Sequence, residues 1–339
     1  MAIYTIGSGK TYTTLAYFLD DVMLGLITDA DVIGEVYGTV TETKHPVVDL
    51  FAAPSTNTLT IRSASGQEHT GIKNTGAIID LDVYTLSVMN MGPTTLTDLT
   101  IEDLEIKGSA LRLIILADGE CDVYLRRCLI YTSGSSQDAA IYLANADPSP
   151  HTYIMNNIIW KDSGSCDWGM KDHSSSNAAN IDIYNNTIYN FDEGGITTNT
   201  ALGIVKNNIC ITTAATGDYD PDHSFPPPFI ASVRSKNMSG DATGDVTGAV
   251  ASTEFVSSTA PYNLLLDSGA TAKDAGDDLG TTPADIEIDV TGYSRPSAPP
   301  AWDIGANEFV SVGPNQITRN ITDGLILAET YMRAGGTTN

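Results

Sequence analysis

The chain has 339 residues, 42% hydrophobic and only 17% charged, a balance that excludes a disordered or fibrous protein. Its 42 acidic residues against 17 basic ones give a formal charge of −25, which excludes the basic footprint of a nucleic-acid binder and disfavours an anionic membrane as partner. The sequence has no run of about 18 apolar residues to span a membrane, and residues 1–6 show neither the basic nor the apolar region of a secretory signal.

In chain order, Gly7-Ser-Gly-Lys10-Thr11 is expected to be a turn. A phosphate-binding loop would need a glycine where Tyr4 stands. Leu15, Phe18, Leu19 and Val22 follow at helical spacing, which predicts a short amphipathic helix. Irregular strands are expected at 58–62 and 77–89. From residue 99 a nine-residue pattern recurs five times, at 99–107, 123–131, 152–160, 181–189 and 203–211, with starts 24, 29, 29 and 22 residues apart. Its first, third, sixth and eighth places face one way. Alternation marks a half-buried strand, and the step of three marks a corner that keeps the same side inward.

The place before each corner holds Asp103, Arg127, Asn156, Asn185 and Asn207. Four of these are Asn or Asp, which tolerate the left-handed conformation of a tight bend. The next place holds Leu104, Cys128, Asn157, Asn186 and Asn208, and the inward asparagines are expected to hydrogen-bond up the stack. Repeats of this length, with strands and no helical period, read as an all-β fold, a right-handed parallel β-helix or solenoid. The amphipathic helix would be its N-terminal cap, since a bare coil end is an exposed sheet edge. The chain divides into a cap with first strands at 1–50, coils at 51–217, an irregular closing β module at 218–312 and a tail at 313–339 with a predicted helix.

Two columns face outward by parity. One contains Tyr131, Trp160 and Tyr189, the other Tyr124 and Tyr153. Aromatic stripes on a surface stack on sugar rings or become a subunit interface, so these five are the candidate binding residues. Beside them, Asp162, Asp192 and Glu193 are candidate acid and base for glycoside cleavage. Asp218, Asp220 and Asp222 alternate as hard oxygen ligands would, making calcium the one cofactor to consider, although His223 and Phe229 stand where a calcium loop has its Gly and Glu. Cys121, Cys128, Cys166 and Cys210 lie at irregular spacing and are expected to be free thiols. The run from Cys166 to His173 gathers thiol, carboxylate and imidazole in an expected loop with no fourth zinc ligand.

Towards the C-terminus, Asp274-Ala-Gly276, Asp289-Val-Thr-Gly292, Arg295-Pro296 and Asp303-Ile-Gly305-Ala-Asn-Glu308-Phe309 resemble the terminal module of parallel β-helix proteins of the "choice-of-anchor Q" type. The resemblance covers about 50 residues. It implies that the module closes the C-terminal end of the coil and that Asp274, Gly276, Asp303, Gly305 and Glu308 are structural. The stretch from Gly7 to Leu15 likewise resembles the start of many β-helix proteins. The active-site runs of polygalacturonases and pectate lyases are absent from the sequence. Because β-helix chains without signal peptides are frequent in tailed bacteriophages, the resemblance implies a non-enzymatic virion protein (capsid decoration, spike or fibre). It would assemble as a homo-oligomer, a trimer for preference, contacting other virion proteins and a cell-surface glycan. The alternatives are an extracellular location, a polysaccharide lyase or glycoside hydrolase, or a glycan-binding adhesin.

Overall fold

The computed structural model describes residues 1–25, 29–49, 57–89, 96–117, 121–144, 151–172, 180–198, 202–213, 217–221, 231–297 and 301–310. Met1–Phe309 forms one compact unit. The expected tail helix lies outside the described residues.

The fold is a parallel β-helix. Successive strands go in rotation to three parallel sheets of nine, nine and seven strands. Seven consecutive turns, from Asp31–Val36 to Tyr219–Pro221, supply a strand to each sheet. Ala2–Ile6 adds a rung below them, and Ala231–Ser235, Met238–Ser239 and Val246–Thr247 add rungs above. The stack therefore takes in the first strands expected within 1–50 and continues beyond 217. The upper rungs are hidden because Ala231–Ser235 carries Arg234 where an apolar residue is expected and the next two strands have only two residues each.

The interior is a set of stacked columns. Ile61, Ile101, Leu125, Ile154, Ile183 and Val205 pair in register on the first sheet. Ile79, Ile106, Ile130, Ile159, Ile188 and Cys210 do so on the second. All twelve are buried. With Tyr4 in register beneath it, Gly34 continues the first column below Ile61. A Cβ there would lie 2.7 Å from the Phe18 ring, so the missing side chain makes room for the cap. The cap helix, Leu15–Met23, is closed at its start by Thr14, whose side chain accepts from Tyr17 N–H at 3.3 Å. The buried Glu42 carboxylate also accepts from Leu15 N–H at 2.8 Å and Ala16 N–H at 3.1 Å. An anion at a helix start satisfies donors that the helix itself leaves free.

From Asp98–Glu102 upward, each corner between the first and second sheets has a left-handed residue: Asp103, Arg127, Asn156, Asn185, Asn207 and Lys236, at φ 51–58°. Inside the corner, Asn157 Nδ2 donates to Asn186 Oδ1 at 3.0 Å, Asn186 to Asn208 at 3.0 Å, and Asn208 to Asn237 at 2.9 Å. Each acceptor oxygen also takes the backbone N–H of the asparagine below it. Each Nδ2 additionally donates to a carbonyl of the adjoining strand, such as Leu125 O or Ile154 O. Asn237 extends the expected ladder by one rung, and the Asp245 carboxylate terminates it by accepting from Asn237 N–H and Nδ2, both at 3.0 Å. At the lower end Cys128 N–H donates to Asn157 Oδ1 at 2.9 Å.

Buried polar groups left without partners cost about 1–3 kcal/mol each. Asn186→Leu removes the acceptor of Asn157 N–H and Nδ2 and the donor to Ile154 O and Tyr184 O, while Asn208 Oδ1 keeps the backbone N–H of residue 186, so it is expected to lower the unfolding free energy by about 3 kcal/mol. Denaturant titration followed by circular dichroism measures this. A loss below about 1 kcal/mol would mean the ladder adds little.

Candidate functional site

The outward columns have the expected direction, but the second-sheet column is not on the surface. Tyr131 and Trp160 are each only 2% exposed, and Tyr189 is partly buried. Residues 255–309 leave the last rung and return down the flank of the coil. Phe255, Leu264, Leu266, Val290, Ile304 and Ala306 pack on the outer face of the second sheet in one cluster with Tyr131 and Trp160. The module thus covers the side of the stack as well as following its end. Tyr131 and Trp160 stack on each other at 4.6 Å between centroids, and Tyr189 O–H donates to Ser258 O at 2.9 Å. Parity reports which way a side chain leaves the sheet and is silent on what lies over it.

Tyr124 and Tyr153 remain half-buried, stacked at 5.0 Å with 18° between planes, and His151 stacks on Tyr153 at 5.4 Å. Rings piled along the coil use their faces on each other. They offer edges outward, a poor platform for a sugar ring.

The candidate carboxylates are engaged. Asp162 Oδ2 lies 2.7 Å from Lys73 Nζ, and its other oxygen accepts from Trp160 Nε1 at 3.4 Å. Asp192 pairs with Lys161 and accepts from Cys166 N–H at 2.9 Å. Glu193 is exposed on the same turn. Asp218 is buried; its carboxylate accepts from Thr212 N–H at 2.8 Å, from the Thr212 hydroxyl at 2.5 Å, and from Gly240 N–H at 2.6 Å. Burial raises its pKa. Those donors occupy both oxygens that calcium would need. The Asp220 side chain and all of Asp222 lie outside the described residues. Among the described residues no three His, Cys, Asp or Glu side chains gather as metal ligands, and no helix is long and apolar enough to cross a membrane.

All four cysteines are free and buried. Cys166–Asp172 is a strand of the third sheet, in place of the expected loop. Burial pushes the Cys121, Cys128 and Cys166 thiols up to about 12, which leaves them unreactive.

The C-terminal motif residues build a buried polar knot. The Asp303 carboxylate accepts from Asp274 N–H at 2.7 Å and from Phe309 N–H. Asp289 accepts from Thr291, Tyr293, Asn307 and Glu308. Arg295, fully buried, meets Glu308 Oε2 at 3.0 Å and donates to Gly305 O at 2.7 Å. Gly305 sits at φ 98°, where a Cβ would lie 2.7 Å from Ile209; its N–H donates to Asn207 O at 2.7 Å. Gly276 would likewise place a Cβ 2.8 Å from Trp302 O.

The left-handed asparagines prove to be docking posts as well as bends. Asn156 Nδ2 donates to Ile286 O at 3.0 Å and its Oδ1 accepts from Arg295 at 3.2 Å. Asn207 exchanges two bonds with Asp277, at 2.8 and 2.9 Å.

At the lower corner the module and the coil leave a cleft of ≈320 Å³, walled by Glu68, His69, Asp103, Arg127, Asp285 and the 288–292 segment. It shares Glu68 and Asp103 with a hollow of ≈260 Å³ bordered by Arg62, Ser63, Ser65 and Glu102. Arg127 grips both Asp103 oxygens at 2.8 and 3.0 Å and Glu102 at 2.7 Å. Arg126 bridges Glu102 and Asp285 at 2.8 and 2.9 Å. His69 Nε2 lies 2.7 Å from Arg127 O, and its Nδ1 accepts from Gly71 N–H at 3.2 Å. Burial lowers the His69 pKa, so the ring is neutral, with its proton on Nε2. Sequence reading missed this site. Its residues come from four distant stretches, and only the left-handed Arg127, odd among Asn and Asp, signals it.

Comparison of the chain with protein-family models, with curated proteins and with solved structures gives no match.

Two outcomes test the covering module. Trp160→Ala is expected to cost about 3–5 kcal/mol, as for a core tryptophan, with native tryptophan emission resistant to iodide; a cost near zero would mean an open face. Burial pushes the Glu308 carboxyl from its ordinary 4.5 up to about 7, against the pull of Arg295. A raised folded-state pKa gives stability that is complete below 4.5 and is lost as pH rises through about 7. Urea midpoints should fall across that window, and Glu308→Gln should flatten the fall. An unchanged slope would place the titration elsewhere.

Proposed function

We propose that the protein is a non-enzymatic structural protein of the tailed-phage virion (capsid decoration, spike or fibre). It assembles as a homo-oligomer, a trimer for preference, with other virion proteins. The observation that carries this reading is the use of its charged groups. Lys73–Asp162 and Lys161–Asp192 tie one turn of the coil to another, as does the Arg112–Asp138–Lys171 set on the third sheet. Carboxylates spent in this way staple rungs together and are not poised to move protons. The choice-of-anchor-type resemblance supports the same reading, since its motif residues serve the module's own turns and anchorage. Light scattering coupled to size exclusion is expected to show an oligomer, and mass spectrometry of purified particles from the source is expected to find the chain. A strict monomer absent from every particle would refute the proposal.

The alternative, a β-helix polysaccharide lyase or glycoside hydrolase, draws on one observation, the carboxylate-lined corner cleft. Release of shortened products from a glycan panel would favour it over the structural role, and binding without products would favour an adhesin.

A further inference from the structure

We propose that the corner cleft is a binding site for a neutral, polyhydroxylated ligand, a short oligosaccharide. The inference does not depend on where the protein acts or how it assembles. It rests on a donor without a hydrogen bond. Arg127 is only 8% exposed, and its Nε and Nη2 are held by Asp103 and Glu102. Its Nη1 makes no hydrogen bond and lies 3.8 Å from Asp285 Oδ2, on the facing wall. In the adjoining hollow the buried Ser63 hydroxyl also lacks a hydrogen-bond partner. Unmade bonds of this kind cost about 1–3 kcal/mol each, a cost that a ligand oxygen would remove.

The surrounding charges select the ligand class. Glu68, Glu102, Asp103 and Asp285 outnumber Arg62, Arg126 and Arg127 around the two hollows, which disfavours an anion. A cation has no acceptor to give Arg127 Nη1. A hydroxyl does both jobs, accepting from Arg127 or Ser63 while donating to Glu68 or Asp285. The neutral His69 adds no charge, and Ile288 and Val290 provide an apolar wall for the C–H face of a sugar ring. A few convergent polar groups over apolar side chains, in a cleft of this size, are the usual make-up of a small-molecule site. Glu68 is exposed, and among the described residues its carboxylate bonds within its own loop, to Gly66 N–H at 2.8 Å; it can be changed without opening the core.

Saturation-transfer NMR and calorimetry on the full chain would use maltotriose, cellotriose, mannotriose and chitotriose as probes, with spermidine and trigalacturonate as charged controls. At least one neutral trisaccharide should bind and neither control should. Glu68→Ala should weaken that binding about tenfold, the loss of one hydrogen bond to a charged acceptor. Arg127→Lys, which cannot hold Asp103 and also offer Nη1, should abolish it. Should Arg127→Lys lose the β spectrum, Ser65→Trp on the exposed rim replaces it and should block binding. The proposal is overturned if no neutral trisaccharide binds. It is equally overturned if only spermidine or trigalacturonate binds, or if Glu68→Ala and Ser65→Trp both leave the affinity unchanged.

Discussion

The corner between the first and second sheets is the constraint on which the molecule depends. A strand that must bend sharply and keep its side chains inward needs one left-handed residue, and the bend leaves backbone N–H groups pointing into an apolar core. The asparagine ladder resolves both problems. One side-chain oxygen accepts two donors from the rung below, and the amide nitrogen returns a bond to the neighbouring strand. Without such a column the isoleucine stacks of the upper turns would still be hydrophobic, but the corner would lose the hydrogen bonds that tie one turn to the next.

The same corner organises the outside. The left-handed residues project Arg127, Asn156, Asn185 and Asn207 away from the core, and residues 277–306 bind to them. A second covering element comes from the opposite direction. The Glu105 carboxylate accepts three backbone N–H groups of residues 74–76 at 2.8–2.9 Å, and that loop carries Lys73 to Asp162 and His69 to the Arg127 carbonyl. Gly71 is where the two covers touch: a Cβ on it would lie 2.7 Å from Leu265 and 3.0 Å from Thr291. The cleft opens beside that meeting point, so its shape depends on both covers being seated.

Much of this was legible in the residues. The nine-place pattern gave the strands, the corners and the inward columns, because stacking forces chemically similar residues to recur at the same place. The inner ladder could be read from Asn157, Asn186 and Asn208; Asn237 escaped because the strand before it places Arg234 in register with inward Val205 and the strand after it has only two residues. The exposure of Tyr131 and Trp160 was misjudged for a different reason. Their cover lies more than 90 residues away in the chain, and its apolar residues, such as Phe255, Leu264 and Ile304, are spread through loops without a period. The outer asparagines carried two meanings, bend and docking post, and only the first has a local signature. The cleft had no signature, since it is a gap between segments and not a motif.

The returning C-terminal segment also alters how the solenoid holds together. In a plain stack each turn touches only its two neighbours, so stability is a sum of local terms and the ends can fray one rung at a time. Here a single stretch of backbone touches the turns of Gly71, Arg127, Asn156, Thr187 and Asn207 at once. It acts as a lengthwise batten: opening any middle turn means prising the batten off several others, and a nominally one-dimensional array is made to melt as a block.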